Sequence, residues 1–215
     1  MTLSLVVAVP KAGLLAAATA SFSLSVGNSV PAVWPGVGAV VSQAWTNRSL
    51  RGRLLAHLAA GARPDQAVAT LGALDPEPTL RQVGLVDAAG RSAWHTGSAC
   101  TPFAGEIDLG TAVHGVVLGN LLVGRTTLEA TAGVLGDAPP PQRPGELAAL
   151  ALTALRAGQR AGGDSRGQQS AALLVGAGPA QDWTPPDLAV DLRVDDHHRP
   201  LEELARLLEL RSRTA

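Results

Sequence analysis

Residues 1–21 read MTLSLVVAVPKAGLLAAATAS, and how this stretch folds decides the architecture of the rest. Three readings compete: a secretion signal, a buried hairpin, and a catalytic N-terminus uncovered by removal of Met1. A signal peptide places positive charge first, then an apolar run, then small residues at the cleavage site. Here the first charge, Lys11, follows an apolar run, and Pro10-Lys11 splits the hydrophobic stretch in two. Only Ala18-Thr19-Ala20 has the composition of a cleavage site. The hairpin fits better. Leu3, Leu5, Val7 and Val9 alternate with Thr2, Ser4, Val6 and Ala8, the period of a strand. Pro10-Lys11-Ala12-Gly13 supplies turn chemistry, and Leu14 to Ala20 returns as a second strand of small residues. Both faces are largely apolar, so the pair is expected to lie buried between layers.

Thr2 heads this hairpin. Its small side chain suits excision of Met1, which would leave a free amine with an intrinsic pKa of about 7.7–8.0. Such an amine can serve as base for the hydroxyl of its own residue, giving a Thr nucleophile without a His partner. On this stretch alone, an ordinary strand-starting threonine is the better reading.

The 215 residues suffice for one domain with a real core, and a single domain over residues 1–215 is expected. Hydrophobic residues make up 46% and charged residues 16%, which predicts folding and not disorder. The net charge of −1 leaves no electrostatic footprint for nucleic acid or an anionic membrane. Cys100 is the single cysteine, so an internal disulfide and a cysteine-based zinc site are excluded, and a reducing, cytoplasmic setting fits. No apolar run reaches the roughly 18 residues of a membrane span. An apolar, weakly charged surface suits a homodimer.

Along the chain, Ser21 to Gly38 reads as irregular and residues 37–44 as a strand. Helices are expected over residues 50–60 and 64–74. Strands follow at 83–86, 92–95 and 111–118, the last running into Gly119-Asn120. Helices at 126–135 and 145–160, strands at 170–175 and 188–194, and a helix at 200–211 complete the chain. Strand pairs with helices in blocks predict an α+β fold and not repeated βαβ units.

Several motifs invite chemistry. Leu173 to Ala180 resembles a strand feeding a glycine-rich dinucleotide loop, but Gln181 replaces its third small residue and Pro185-Pro186 forbids the helix that must follow. A hairpin loop is expected there. Asp191, Asp195, Asp196, His197 and His198 are suitable metal ligands at no recognised spacing. Cys100 with His95 offers a nucleophilic pair, though a lone cysteine is commonly inert packing. The densest polar cluster is Gly162 to Ser170, where Asp164 and Arg166 form either a functional charge pair or a loop tie.

The runs GVGAVVSQAWTN, RQVGLVDAAGR, HTGSAC, GNLLVG, AGGDSRGQQSAALLV and DLRVDDHHRPLEELARLL together resemble the domain-of-unknown-function 1028 family, from Thr2 to about Leu210. That resemblance implies an N-terminal-nucleophile (Ntn) hydrolase-like fold, a four-layer αββα sandwich of two packed, mainly antiparallel sheets with helices outside. It also implies cleavage of an amide bond by an N-terminal Thr, Ser or Cys, for which Thr2 is the matching position. Family members with a peptidoglycan-binding domain point toward cell-wall amides. The chain departs from the family in its short VPKAG turn and in Phe103, where Trp is common.

The expected function is therefore an amidohydrolase acting on a small amide or peptide-like substrate, with Thr2, Asn120 and Asp164 as catalytic candidates. Asn120 would donate to the oxyanion, and Asp164 with Arg166 would orient the amine or bind polar substrate. Gln43, Asn47, Arg166, Gln168 and Ser170 are candidate substrate contacts. No metal or organic cofactor is expected, and no nucleic-acid or membrane partner. Two alternatives remain: a non-catalytic module binding a small polar metabolite at the Asp164–Arg166 loop, and a metal-assisted hydrolase using Asp195 and His197.

Overall fold

The structure is a computed structural model that describes residues 2–180, 182 and 187–214. Strands β1 (Thr2–Val9) and β2 (Leu14–Ser21) form the expected hairpin, in register from Thr2↔Ser21 to Val9↔Leu14. A 3-10 turn over Pro10–Ala12 joins them. Gly13 closes that turn at φ 63°, a left-handed conformation that favours glycine.

The hairpin is the centre of a six-stranded antiparallel sheet. Its other strands are β7 (Gly105–Gly110), β8 (His114–Asn120), β9 (Ser170–Ala177) and β10 (Val190–Val194), in the order β10-β9-β2-β1-β8-β7. A second antiparallel sheet contains β3 (Pro31–Trp34), β4 (Gly38–Ala44), β5 (Arg81–Asp87) and β6 (Ser92–Thr96), in chain order.

Three buried clusters separate the layers. Val6, Ala8, Leu15 and Ala17 meet Val33, Ala39, Val41 and Val86 between the two sheets. The alternate residues Leu3, Leu5, Val7 and Val9 face the other way, onto helices α5 (Arg125–Asp137), α6 (Pro144–Arg160) and α7 (Pro200–Thr214). Behind the smaller sheet, Val40, Val83 and Leu85 pack on α2 (Ser49–Ala59), α3 (Pro64–Ala69) and α4 (Leu71–Leu74). Each face of β1 thus enters a different core, which is why the whole strand is buried and its sequence is nearly continuously apolar. Gly158 lets α6 settle deeply, since a Cβ there would lie 2.1 Å from Thr131 Oγ1 and 2.8 Å from Leu3 Cδ2.

The architecture is α+β, as expected, with several local corrections. The segment read as irregular after Ser21 contains a short helix α1 (Val26–Ser29) and strand β3. The helix expected over 64–74 is broken at Thr70, whose hydroxyl donates to Ala67 O at 2.7 Å and competes with the backbone ladder. The strand expected from Thr111 begins at His114, after an unpredicted strand over 105–110. β9 and β10 pair antiparallel, so the glycine-rich run at 176–178 opens a hairpin connection and no βαβ unit exists there. Gln181 and residues 183–186, which close that run, lie outside the described residues, as does Met1. Among the described residues no helix is long and apolar enough to cross a membrane.

Candidate functional site

One end of the sandwich is built differently from the rest. There β1 begins, β2 and β8 end, β9 begins, β4 ends and β5 begins. The inward positions that carry Val and Ala further along these strands carry polar side chains here: Thr2, Ser4, Thr19, Gln43, Gln82 and Asn120, all buried. Thr2 sits between Ser21 on one neighbouring strand and Asn120 on the other. Its hydroxyl lies 3.2 Å from Ser21 Oγ, and its carbonyl accepts from Gln43 Nε2 at 3.3 Å.

Gln82 organises this cluster. Its Nε2 faces Gly119 O (2.8 Å), Thr96 Oγ1 (3.0 Å) and Gly105 O (3.2 Å). Backbone carbonyls only accept, so the amide nitrogen must point at them and Oε1 must point the other way. There Oε1 accepts from Gln43 Nε2 and Asn120 Nδ2, both at 2.9 Å. The orientation of Gln43 follows, and its Oε1 is left 2.6 Å from Ser4 Oγ, which lies 2.8 Å from Thr19 Oγ1. Two glycine carbonyls thereby set the direction of a buried chain that ends on the backbone of Thr2. Asn120 engages Gln82 through one amide proton and has a second.

The loops that leave this end are distinctive in two ways. Ser25, Ala44 and Leu121 are non-glycine residues at φ 53°, 71° and 53°, a conformation costing roughly 1–2 kcal/mol each for L-residues. Phe22, Leu24, Trp45 and Val123, on the same loops, are 42%, 65%, 66% and 61% exposed. Exposed apolar residues thus form a rim on the loops at the polar end.

Asp164 belongs to this rim. It bridges to Leu122, accepts Phe22 N at 3.0 Å and Arg166 N at 2.8 Å, and pairs with the Arg166 guanidinium at 3.3 Å. Arg166 lies 5.3 Å from the centroid of the Phe22 ring, a cation–π contact. The pair therefore holds the turn after β2 against the loop before β9. Ser170 does the same from below, accepting Val26 N at 3.0 Å and donating to Ser23 O.

The remaining candidates lie elsewhere. Asn47 precedes α2, accepts Ser49 N at 3.0 Å, and donates to the buried Asp75 at 2.7 Å. Arg81 grips Asp75 through two nitrogens, at 2.8 and 3.2 Å; with Asn47 and Glu77 N this holds its carboxyl down at about 2. Gln168 lines a 170 Å³ recess against α6 and α7, and its Oε1 is buried with no partner among the described residues. Cys100 is buried, which pushes its thiol pKa up, and His95 bonds Pro78 O at 2.9 Å, so nothing pairs them as a nucleophile and base. Among the described residues no three His, Cys, Asp or Glu side chains gather to hold a metal; His197 Nδ1 accepts Arg199 N and Asp196 accepts from Gln169.

Residues 2–204 match the model of a family of unknown function, DUF1028. The chain belongs to that family. A comparison with solved structures finds protein SPO2555 from Silicibacter pomeroyi, whose crystal structure is described with the same family, at 28% identity and a TM-score of 0.82. The match covers 97% of this chain and 85% of that one. A comparison with curated proteins finds no match.

For this DUF1028 member, sequence reasoning singled out Thr2, Gln43 and Asn120 but missed Ser4, Thr19, Ser21, Thr96 and Gln82. A signal for Ser4 was present: Thr2 and Ser4 are the polar members on one face of a strand whose later members on that face are Val6 and Ala8. Gln82 had no comparable signal, because it lies one residue before the apolar run Val83 to Val86.

Proposed function

We propose that this chain is an N-terminal-nucleophile amidohydrolase that cleaves a small amide or peptide-like substrate through Thr2 once Met1 is removed. The observation that carries the reading is the position of Thr2: head of a central strand, between Ser21 and Asn120, within a buried polar cluster at the end of the sandwich that carries the exposed apolar loops. The strained backbone at Ser25, Ala44 and Leu121 converges on the same end, where stored strain commonly accompanies function.

In this mechanism Thr2 Oγ1 attacks the amide carbonyl, forming a C–O bond. The freed α-amine takes the hydroxyl proton and returns it to the leaving amine as the C–N bond breaks. The second amide proton of Asn120 stabilises the oxyanion, and Gln82 keeps that amide turned correctly. Water then hydrolyses the ester on Thr2. Asp164 and Arg166 act by holding the rim. A cytoplasmic homodimer with an Ntn-type fold belongs to the same proposal. The proposal requires the rim to admit substrate, because Thr2 is only 6% exposed.

That burial favours one second reading: a non-catalytic module that takes a polar metabolite at Arg166, with Thr2 as structure. Intact mass and N-terminal sequencing of native protein, with an amide-substrate screen, separate the two. Loss of Met1 and turnover that vanishes in Thr2→Ala but survives in Thr2→Ser support the hydrolase. A retained Met1, or turnover equal in Thr2→Ala and wild type, overturns it.

A further inference from the structure

The two sheets differ in width, and the six-stranded sheet extends past the edge strand β3 of the smaller one. Beneath this overhang lies a cavity of about 400 Å³, on the flank of the sandwich. No residue of the Thr2 cluster lines it. One wall is apolar, with Val33, Leu174 and Leu188; the other carries Arg48, Arg51 and Arg193.

The charges there do not balance. Asp191 is the single carboxylate in the lining, and it is taken by Arg193 through two bonds of 2.8 and 2.9 Å. Among the described residues Arg51 donates only to backbone carbonyls, to Pro31 O at 3.0 Å and Arg48 O at 3.3 Å. Among the described residues neither Arg51 nor Arg48 has an acidic partner. Two positive charges are left over, on a chain whose net charge is −1. Burial, then Arg48 and Arg193, pull the Arg51 pKa down, so the guanidiniums stand close enough to repel one another.

The surroundings hold the charges in place and leave room between them. The Arg193 stem is seated on Gly27, where a Cβ would approach its Cγ and Cδ to 3.2 Å. Gly52 lies on the cavity side of α2, and a Cβ there meets nothing within 4 Å. A glycine inside an exposed helix costs roughly 1 kcal/mol relative to alanine. No packing contact explains it here. Arg48 and Arg193 are exposed and Arg51 is half-buried, so the guanidiniums line the mouth of the cavity, where a solute of opposite sign can reach them.

We propose that this flank cavity binds a phosphate monoester, its dianionic head on Arg48 and Arg51 and its apolar body against Val33, Leu174 and Leu188. Two unpaired guanidiniums match the −1.5 to −2 charge that a monoester carries near pH 7. Their planar donor sets suit its three terminal oxygens.

The test is calorimetric titration of the full chain with phenyl phosphate, inorganic phosphate and benzoate at matched ionic strength. Phenyl phosphate is expected to bind more tightly than either of the others, because only it uses both walls. Arg48→Ala should weaken that binding at least about tenfold, the worth of a charge-assisted hydrogen bond. Gly52→Glu should abolish it while leaving thermal stability equal or higher, since it places a carboxylate in open space on a helix. Thr2→Ala should bind as wild type does, which separates this site from the proposed amidase. No binding of phenyl phosphate at millimolar concentration, unchanged binding in Gly52→Glu, or benzoate binding more tightly than phenyl phosphate would each overturn the assignment.

Discussion

Replacing Gln82 by Leu tests whether the polar end of the sandwich is held by one side chain. Gln82 accepts from Gln43 and Asn120 and donates to Gly119 O, all in buried positions. Leucine of similar volume leaves two buried N–H groups and one carbonyl without their partner. Each such loss costs about 1–3 kcal/mol, so a total of about 3–6 kcal/mol is expected after local adjustment. For a chain of this size that is a fall in Tm of roughly 10–20 °C. Urea unfolding monitored by tryptophan fluorescence measures the free energy directly. Gln82→Glu is the informative companion. Its carboxylate can still accept from Gln43 and Asn120, but it faces the Gly119 and Gly105 carbonyls and favours protonation. Its folded-state pKa should therefore rise, making the variant less destabilised at pH 5 than at pH 8. A Gln82→Leu loss below about 1 kcal/mol would refute the reasoning, because the chain of amides would then be able to satisfy itself without its centre.

Asp75, held at about 2 against an ordinary 3.8, stabilises the fold above its unfolded pKa, and this stabilisation of about 2 kcal/mol should disappear as pH falls from 4 toward 2. Urea midpoints against pH should show that slope in wild type and not in Asp75→Asn. Gly158→Ala should destabilise by about 1–3 kcal/mol despite better helix propensity, because the added carbon meets Thr131 Oγ1 and Leu3; combining it with Thr131→Ala should recover part of the loss in the same assay. Thr127 Oγ1 is buried without a partner among the described residues, so Thr127→Val should leave stability unchanged or raise it by up to about 1 kcal/mol, read as a Tm shift.

The central hairpin was legible because its information is local. Alternation over Thr2 to Val9, a Pro–Gly turn and a return of small residues specify pairing within twenty residues of chain. The long helices were legible for the same reason: α6 and α7 each carry an apolar stripe at helical spacing, with α6 starting at Pro144 and α7 at Pro200. Elements that failed were those whose signal is weak or divided. β3 has four residues, and β7 is an edge strand whose Glu106 and Asp108 face the smaller sheet and accept from Thr96 and Ser92 of β6, so no apolar alternation marks it. Thr70 interrupts an otherwise helical pattern by a hydrogen bond that no periodicity records.

For the site, sequence alone put a threonine at the head of a buried strand and an asparagine at the end of another. Only the tertiary structure brought them side by side, since their pairing joins residues far apart in the chain. It also assigned Asn47 to Asp75 and Ser170 to the turn after β2, and put Gln82 at the centre of the cluster. The physical reason is that strand identity depends on near neighbours, whereas a buried hydrogen bond depends on which distant groups share the same dry space. Composition records that polar groups exist; folding decides which of them must satisfy one another.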